Sequence, residues 1–198
     1  MAKKKGQKFN QIIDAAVSVI AENGYHNSQV SKIAKKAGVA DGTIYLYFKN
    51  KEDILVSLFE EKMGVFVQKS KERLAEQETI EDKLYTLIEM HLCQLEADHD
   101  LAIVTQLELR QSNIALRNEI NEVLKAYYGL IDHIIDEGVE QGVFPHSLNK
   151  RVARQMTFGA IDEVVTNWVM KDMRYDLVEL AHPLKEMIFH GLKQSKTG

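Results

Sequence analysis

Apolar residues recur with helical spacing almost from end to end of the chain. Phe9, Ile12, Ile13, Ala16, Val17 and Ile20 advance in steps of three and one, which is one face of a helix, and Asn23-Gly24 is a C-terminal stop. Val30, Ile33, Ala34 and Ala37 repeat the pattern over a shorter span, with Ser28 as the expected cap and Gly38 as the end. Another short helix must start at Gly42 or Thr43, so a tight turn joins two short helices. Asn50 then reads as the N-cap of a longer helix striped by Ile54, Leu55, Leu58, Phe59 and Phe66.

The rest of the chain continues in kind. Thr79 and Asp82 form an expected capping pair for a helix striped by Leu84, Leu87, Ile88, His91, Leu92 and Leu95, broken at ADHD. From Leu101 to Ile114, the residues Ile103, Leu107, Arg110 and Ile114 fall on one stripe of a single predicted helix. Ile120, Val123, Leu124, Tyr127, Ile131, Ile134 and Ile135 stripe a long helix that Gly142 and Pro145 end. The pattern then predicts a helix over Asn149 to Met170, apolar on more than one side, and a last helix from Asp176 to Gln194. That last helix has Glu179 three residues into its capping pair. With two prolines and no sustained alternation of apolar and polar residues, the fold class is all-α.

Charge divides this helical chain. The formal net charge is -4, but residues 1–51 hold nine lysines against Asp14, Glu22 and Asp41. The N-terminal end therefore seeks polyanions and the remainder repels them. Expected domains are residues 1–50, a basic helix-turn-helix unit, and 51–198. A single cysteine, Cys93, precludes an internal disulfide. The absence of a leader pattern or a long apolar run predicts a cytoplasmic protein with no membrane partner.

The stretch VADGTIYLYFKNKEDIL carries the most specific signal. On a helical wheel Ile44 and Phe48 lie about 40° apart and face the core, while Gly42, Leu46 and Thr43 fall on the opposite side. A small, apolar, hydroxylic face fits the major groove. Gly42 permits close approach, Leu46 and the Thr43 methyl meet thymine methyls, and the Thr43 hydroxyl bonds a base or phosphate. Tyr45 and Tyr47 flank that face toward the phosphate rails, with Lys49 and Lys51 just beyond. Asp41 either caps this helix or accepts a bond from cytosine. Lys3 to Lys5 are either an arm reaching the duplex or a solubilising tract. A protein-binding adaptor is the competing binding class, and steep salt dependence of retention on double-stranded DNA separates the two.

The segment QVSKIAKKAGVADGTIYLYFKNKEDIL, following a helix that ends AENGY, resembles the N-terminal domain of TetR-type repressors. Gln29 departs from the threonine that many members carry, and Ser28 is expected to compensate; both are included with the DNA-binding candidates. TIYLYFKNKEDIL, DLAIVTQLELRQSN and RQMTFGAIDEVVTNWVM together resemble the branch of that family that governs fatty-acid metabolism. The resemblance implies a TetR-like fold with a C-terminal effector-binding and dimerisation domain. It further implies a homodimeric repressor of fatty-acid degradation genes that leaves a pseudo-palindromic operator when long-chain acyl-CoA binds. A TetR-type repressor of another regulon with a different hydrophobic ligand is the alternative.

With that resemblance in view, Arg110 is the first effector candidate. A guanidinium in an apolar row needs an anion, either a coenzyme A phosphate or a structural carboxylate such as Glu89, Glu96, Glu108, Asp162 or Glu163. Gln106, Gln111 and Asn113 add neutral hydrogen-bonding groups. Phe66, Leu87, Met90, Val104, Leu107, Met156, Phe158, Ile161 and Trp168 suit the lining of an acyl-chain pocket, although taken singly each is more often plain core. The dimer interface is expected along the last two helices at Val152, Met156, Ala160, Val164, Leu180, Leu184, Ile188 and Gly191.

Catalysis has no comparable support. Cys93 lies in a helical stripe without a fixed basic partner, and His91 and His99 are eight residues apart with no third ligand at useful spacing. No phosphate loop or nucleophile elbow occurs, so no enzyme, metal or cofactor is expected beyond the effector ligand.

Overall fold

The computed structural model describes residues 6–193, so Lys3 to Lys5 and Gln194 lie outside the described residues. Within them the protein is helical, with α1 over Gln7–Asn23, α2 over Val30–Lys36, α3 over Asp41–Ile44, α4 over Lys51–Ala75 and α5 over Ile80–Ala97. These are followed by α6 over His99–Glu108, α7 over Ile114–Glu140, α8 over Lys150–Met170, a 3-10 turn over Val178–Leu180 and α9 over Ala181–Leu192. The chain forms two compact units, one comprising residues up to 64 with 99–123, the other 65–98 with those from 124 onward. Helix α6 and the first turns of α7 thus belong with the N-terminal helices.

In the first unit the predicted face of α1 is buried, from Phe9 through Ile20. Removing each such side chain from water stabilises by about 1.5–3 kcal/mol. Gly24 closes α1 at φ 72, a conformation that favours glycine, and its N–H bonds Ile20 O at 2.8 Å. Helix α6 packs along α1, and Ser18 Oγ donates to Asp100 Oδ2 at 2.8 Å. Asn50 caps α4 as expected, with Asp53 N donating to Asn50 Oδ1 at 2.8 Å, and the Asp53 carboxylate in turn accepts from Lys49 N at 2.9 Å.

In the second unit α9 lies against α5 and α8. Thr79 and Asn149 cap α5 and α8, accepting from Asp82 N at 3.0 Å and Val152 N at 3.1 Å. Gly138 lets Phe144 fold back onto α7, for a Cβ at that position would sit 2.3 Å from the Phe144 ring. The Trp168 indole donates to Tyr175 O at 2.7 Å and closes the loop after α8. Lys185, only 5% exposed, pairs with Glu81 at 2.7 Å and with Glu186.

Four expectations are corrected. The predicted helix over 101–114 is two helices: the Gln111 carboxamide bonds Glu108 O at 3.1 Å, and Asn113 Oδ1 accepts from Leu116 N at 3.2 Å as the start of α7. Local side-chain bonds there override apolar spacing. The predicted last helix begins five residues late, at Ala181, because an α-helix from Asp176 would hold Pro183 in its interior, where it has no N–H to donate and crowds the preceding turn. In the first turn of α9 it is tolerated. Asp176 Oδ1 still accepts from Glu179 N at 3.1 Å, closing the 3-10 turn instead. Ser28 does not cap α2; it is buried and its hydroxyl bonds Val19 O at 3.0 Å and Gly24 O at 2.8 Å, leaving Gln29 as the N-cap residue without a side-chain cap bond. Asp41 is the first residue of α3, and Ala40 occupies the cap.

Candidate nucleic-acid interface and ligand cleft

Helices α2 and α3 meet through a turn that Gly38 makes at φ 67, with Val39 N returning to Ala34 O at 3.0 Å. Beyond Ile44 the backbone tightens into successive turns, Leu46 N to Thr43 O at 3.2 Å and Tyr47 N to Ile44 O at 3.0 Å. The reading element is therefore shorter and more tightly wound than the predicted helix. Its polarity nevertheless follows the wheel. Ile44 is fully buried and Phe48 stacks on Phe9 at 5.2 Å, while Leu46 is 80% exposed. Gly42 and Tyr45 are also exposed, Thr43 is half-buried, and no atom lies within 4 Å of a Cβ built on Gly42. A leucine this exposed on a firmly anchored turn stabilises nothing within the unit, and it presents its methyls outward.

The flanking residues divide. Tyr47 is half-buried, its ring 6.5 Å from Phe9 and 6.3 Å from Phe48. Lys49 and Gln29 are exposed. Lys51 is engaged within the protein, for its ammonium donates to Tyr25 O and His26 O, each at 3.0 Å, and lies 4.5 Å from the Tyr25 ring centroid. The buried Ser28 likewise leaves the reading surface.

The second unit holds a cleft of about 550 Å³ between α4, α5 and α7, within the range of small-molecule sites. Its floor is apolar, from Leu74, Leu130 and Ile134. Its rim carries Lys71, Lys83, Lys125 and His133, and no carboxylate is among its lining residues. Gly129 widens it, with no atom within 4 Å of a Cβ built there. Glu137 stands beside the rim and holds Lys83 at 2.8 and 2.7 Å. Sequence reading missed these residues, although Lys125, Gly129 and His133 step by four on one face of α7.

None of the predicted effector residues lines that cleft. Val104, Gln106, Leu107, Arg110, Gln111 and Asn113 belong to the first unit, and Phe66, Leu87, Met90, Met156, Phe158, Ile161 and Trp168 to the second. Arg110 is exposed in the α6–α7 connection, so the premise of a buried guanidinium in an apolar row fails. Gln106 and Gln111 are buried, and Met156 is 55% exposed. Trp168 anchors its own loop. Phe66 and Phe158 do meet around Tyr127, at 5.6 and 5.9 Å, and Phe66 also meets His91 at 5.9 Å. His91 Nδ1 lies 3.1 Å from the Tyr127 hydroxyl, its Nε2 has no partner among the described residues, and burial lowers its pKa to about 4. This histidine is neutral.

Of the expected interface residues, Val152 and Met156 are exposed, as is Gly191, while Ala160, Val164 and Leu180 are half-buried. Leu184 and Ile188 are buried within the protomer. Met170 and Met187 are among the exposed apolar side chains that the pattern did not single out; Met187 is 76% exposed. Among the described residues no group of His, Cys, Asp and Glu could hold a metal ion, and no helix is long and apolar enough to cross a membrane.

A glycine-turned pair of short helices with an exposed leucine on a buried anchor, joined to a helical ligand domain, defines a helix-turn-helix transcription regulator. Residues 12–58 match the bacterial regulatory proteins of the tetR family and residues 59–191 match the YsiA-like protein, C-terminal region, so the chain belongs to the TetR family. It is 60% identical over 190 residues to the fatty acid metabolism regulator protein of Bacillus subtilis, covering 96% of this chain and 98% of that one. The crystal structure of the Bacillus subtilis transcriptional regulator FadR in complex with stearoyl-CoA superposes with TM-score 0.91 at 60% identity, covering 92% of this chain and 98% of that one. FadR from Bacillus halodurans, a fatty acid degradation regulator, matches with TM-score 0.91 at 62% identity, over 93% of this chain and all of its own.

Proposed function

We propose that the protein is a cytoplasmic, homodimeric repressor of fatty-acid degradation genes that leaves its operator when long-chain acyl-CoA binds. The observation that carries this reading is the likeness, over nearly the whole chain, to a regulator seen with stearoyl-CoA. The DNA-facing half rests on the reading element. Gly42, Thr43, Tyr45 and Leu46 contact base edges and adjacent phosphates in the major groove, and Gln29, Asp41, Tyr47 and Lys49 border that contact.

Dimerisation follows from apolar surface that one protomer leaves exposed. Val152 and Met156 on α8 and Met187 on α9 are exposed large side chains, and Gly191 leaves open space beside α9. Pairing of α8 and α9 with their copies covers these residues in a four-helix seam. The dimer then sets operator half-sites about 34–36 Å apart or a multiple of it.

An effector releases DNA only by differential affinity for the two states. Moving occupancy from almost fully bound to almost fully free takes about 5 kcal/mol. Helices α4 and α7 each contribute to both compact units, so they are the covalent route for such coupling.

The test is operator binding during titration with stearoyl-CoA, with acetyl-CoA and stearate as controls. Release by stearoyl-CoA alone at low micromolar concentration supports the reading. Retention of operator at saturating stearoyl-CoA sinks it.

A further inference from the structure

Asp41 stands apart from the other acids of the basic end. Residues 1–51 hold nine lysines against three acids, and two of those acids are engaged by lysines, Glu22 with Lys36 at 3.3 Å and Asp14 with Lys62 at 2.7 Å. Asp41 is exposed and makes no hydrogen bond or ion pair among the described residues. The structure also withdraws its structural duties. Ala40 holds the N-cap of α3, so the Asp41 carboxylate does not cap, and α3 has only four residues, so the macrodipole it offers an acid is small.

Left in the reading element, a bare carboxylate weakens binding to every duplex by repelling phosphates, unless a donor on the DNA meets it. Major-groove edges narrow that donor to one base. Guanine offers N7 and O6 and thymine O4, all acceptors that repel a carboxylate, and adenine sets its N6 amino group beside the N7 acceptor, an arrangement that suits a carboxamide. Cytosine offers the N4 amino group alone. Reach is the remaining requirement, because an aspartate is short. Its neighbours are Ala40 and Gly42, no atom lies within 4 Å of a Cβ built on Gly42, and the fully buried Ile44 fixes the turn just beyond. The backbone around Asp41 therefore approaches a groove floor with no bulky side chain to hold it away.

We propose that Asp41 is a specificity filter: its carboxylate accepts a hydrogen bond from the N4 amino group of one cytosine in each operator half-site and repels duplexes that lack a cytosine there. The acid lowers general affinity for DNA and widens the gap between the operator and other sequences. The proposal rests on the DNA-reading role above and adds the base that is read and the means by which others are rejected. It moves Asp41 from the border of the contact onto a base.

The test selects sequences from randomised duplexes with full-length wild type, Asp41→Ala and Asp41→Asn, and thermal melts verify that each is folded. Wild type is expected to fix one cytosine in each half-site that Asp41→Ala leaves free to vary while the other selected positions are retained, and Asp41→Asn is expected to favour adenine there. In titrations of the selected duplex, replacing that C·G pair by T·A should weaken wild type by ~10-fold and Asp41→Ala by less than ~2-fold. A scrambled duplex should bind Asp41→Ala more tightly than wild type by ~3-fold at low salt, with the gap closing as salt rises. Identical selected sequences for wild type and Asp41→Ala overturn the proposal and leave the DNA-reading role standing. Equal binding of the scrambled duplex overturns the rejection of other sequences. If wild type selects no sequence, the DNA-reading role and the filter fail together.

Discussion

The Glu108 carboxylate accepts a hydrogen bond from the Tyr25 backbone N–H at 2.8 Å, across 83 positions of sequence. Its other oxygen takes the Gln111 carboxamide at 2.7 Å. On the same turn Lys51 holds the Tyr25 and His26 carbonyls, so the α1–α2 connection is gripped by an acid from α6 and a base from α4. The helix-turn-helix is thereby braced by residues from beyond its own two helices, one of them distant in sequence.

Glu108→Ala should leave a partly buried N–H without its acceptor. The expected cost is about 1–3 kcal/mol of stability, with weaker operator binding at temperatures where the wild type is still folded. Chemical denaturation followed by circular dichroism measures the first, and gel retardation the second. An unchanged denaturation midpoint would count against the brace.

Lys51→Ala and Lys49→Ala should separate two roles that adjacent sequence positions made look alike. Loss of Lys51 removes charge-assisted bonds to two carbonyls and should lower stability by about 1.5–3 kcal/mol. Loss of the exposed Lys49 should leave stability unchanged, weaken all duplexes alike and reduce the salt slope of operator binding by about one. Identical melting of Lys51→Ala and wild type would restore Lys51 to the phosphate contacts.

Ile44→Ala and Leu46→Ala, two residues apart, should behave oppositely. Ile44 is fully buried, so its truncation should cost about 2–5 kcal/mol. Leu46→Ala should melt like wild type and lose discrimination at thymine positions of the operator, measured by competition among duplexes.

Gly138→Ala should destabilise, because its methyl would meet the Phe144 ring at 2.3 Å and one of them must shift, at a cost of about 1–3 kcal/mol. Gly129→Ala, with open space around it, should stabilise α7 by up to about 1 kcal/mol through helix propensity alone. Paired thermal melts decide both.

Burial holds the His91 pKa at about 4, below its ordinary 6.5. The unfolded chain then takes up a proton that the folded one refuses. Stability contributed by keeping this ring neutral is fully present above pH 6.5 and is lost as the pH falls through about 4. The expected decline is on the order of 3 kcal/mol. His91→Phe should flatten the stability profile over this range, and a profile identical to wild type would place the acid sensitivity on another group.

Local physics made much of this protein legible in one dimension. The stripes of α1, α4, α5 and α7, the stops at Gly24 and Gly142, the caps at Asn50 and Thr79, and the outward aim of Leu46 all follow from periodicity and short-range bonding. Each depends on residues within about a turn of one another. The same reasoning failed where a local competitor was overlooked, as at Pro183, or where neutral side chains such as Gln111 and Asn113 broke a run of apolar spacing.

Tertiary structure alone decided which polar groups are already engaged. Lys51 and Lys49 are equivalent in charge and neighbourhood along the chain, yet only folding brings the Tyr25 and His26 carbonyls to one of them. Leu184 and Met156 are equally apolar in sequence, yet one is buried in its own protomer and the other faces outward. The cleft, too, exists only once α4, α5 and α7 bring lysines from positions 71, 83 and 125 around one apolar floor. Hydrophobic spacing specifies the face of a helix, because side-chain direction is a local property. It cannot specify what that face meets, because the neighbours arrive from distant parts of the chain.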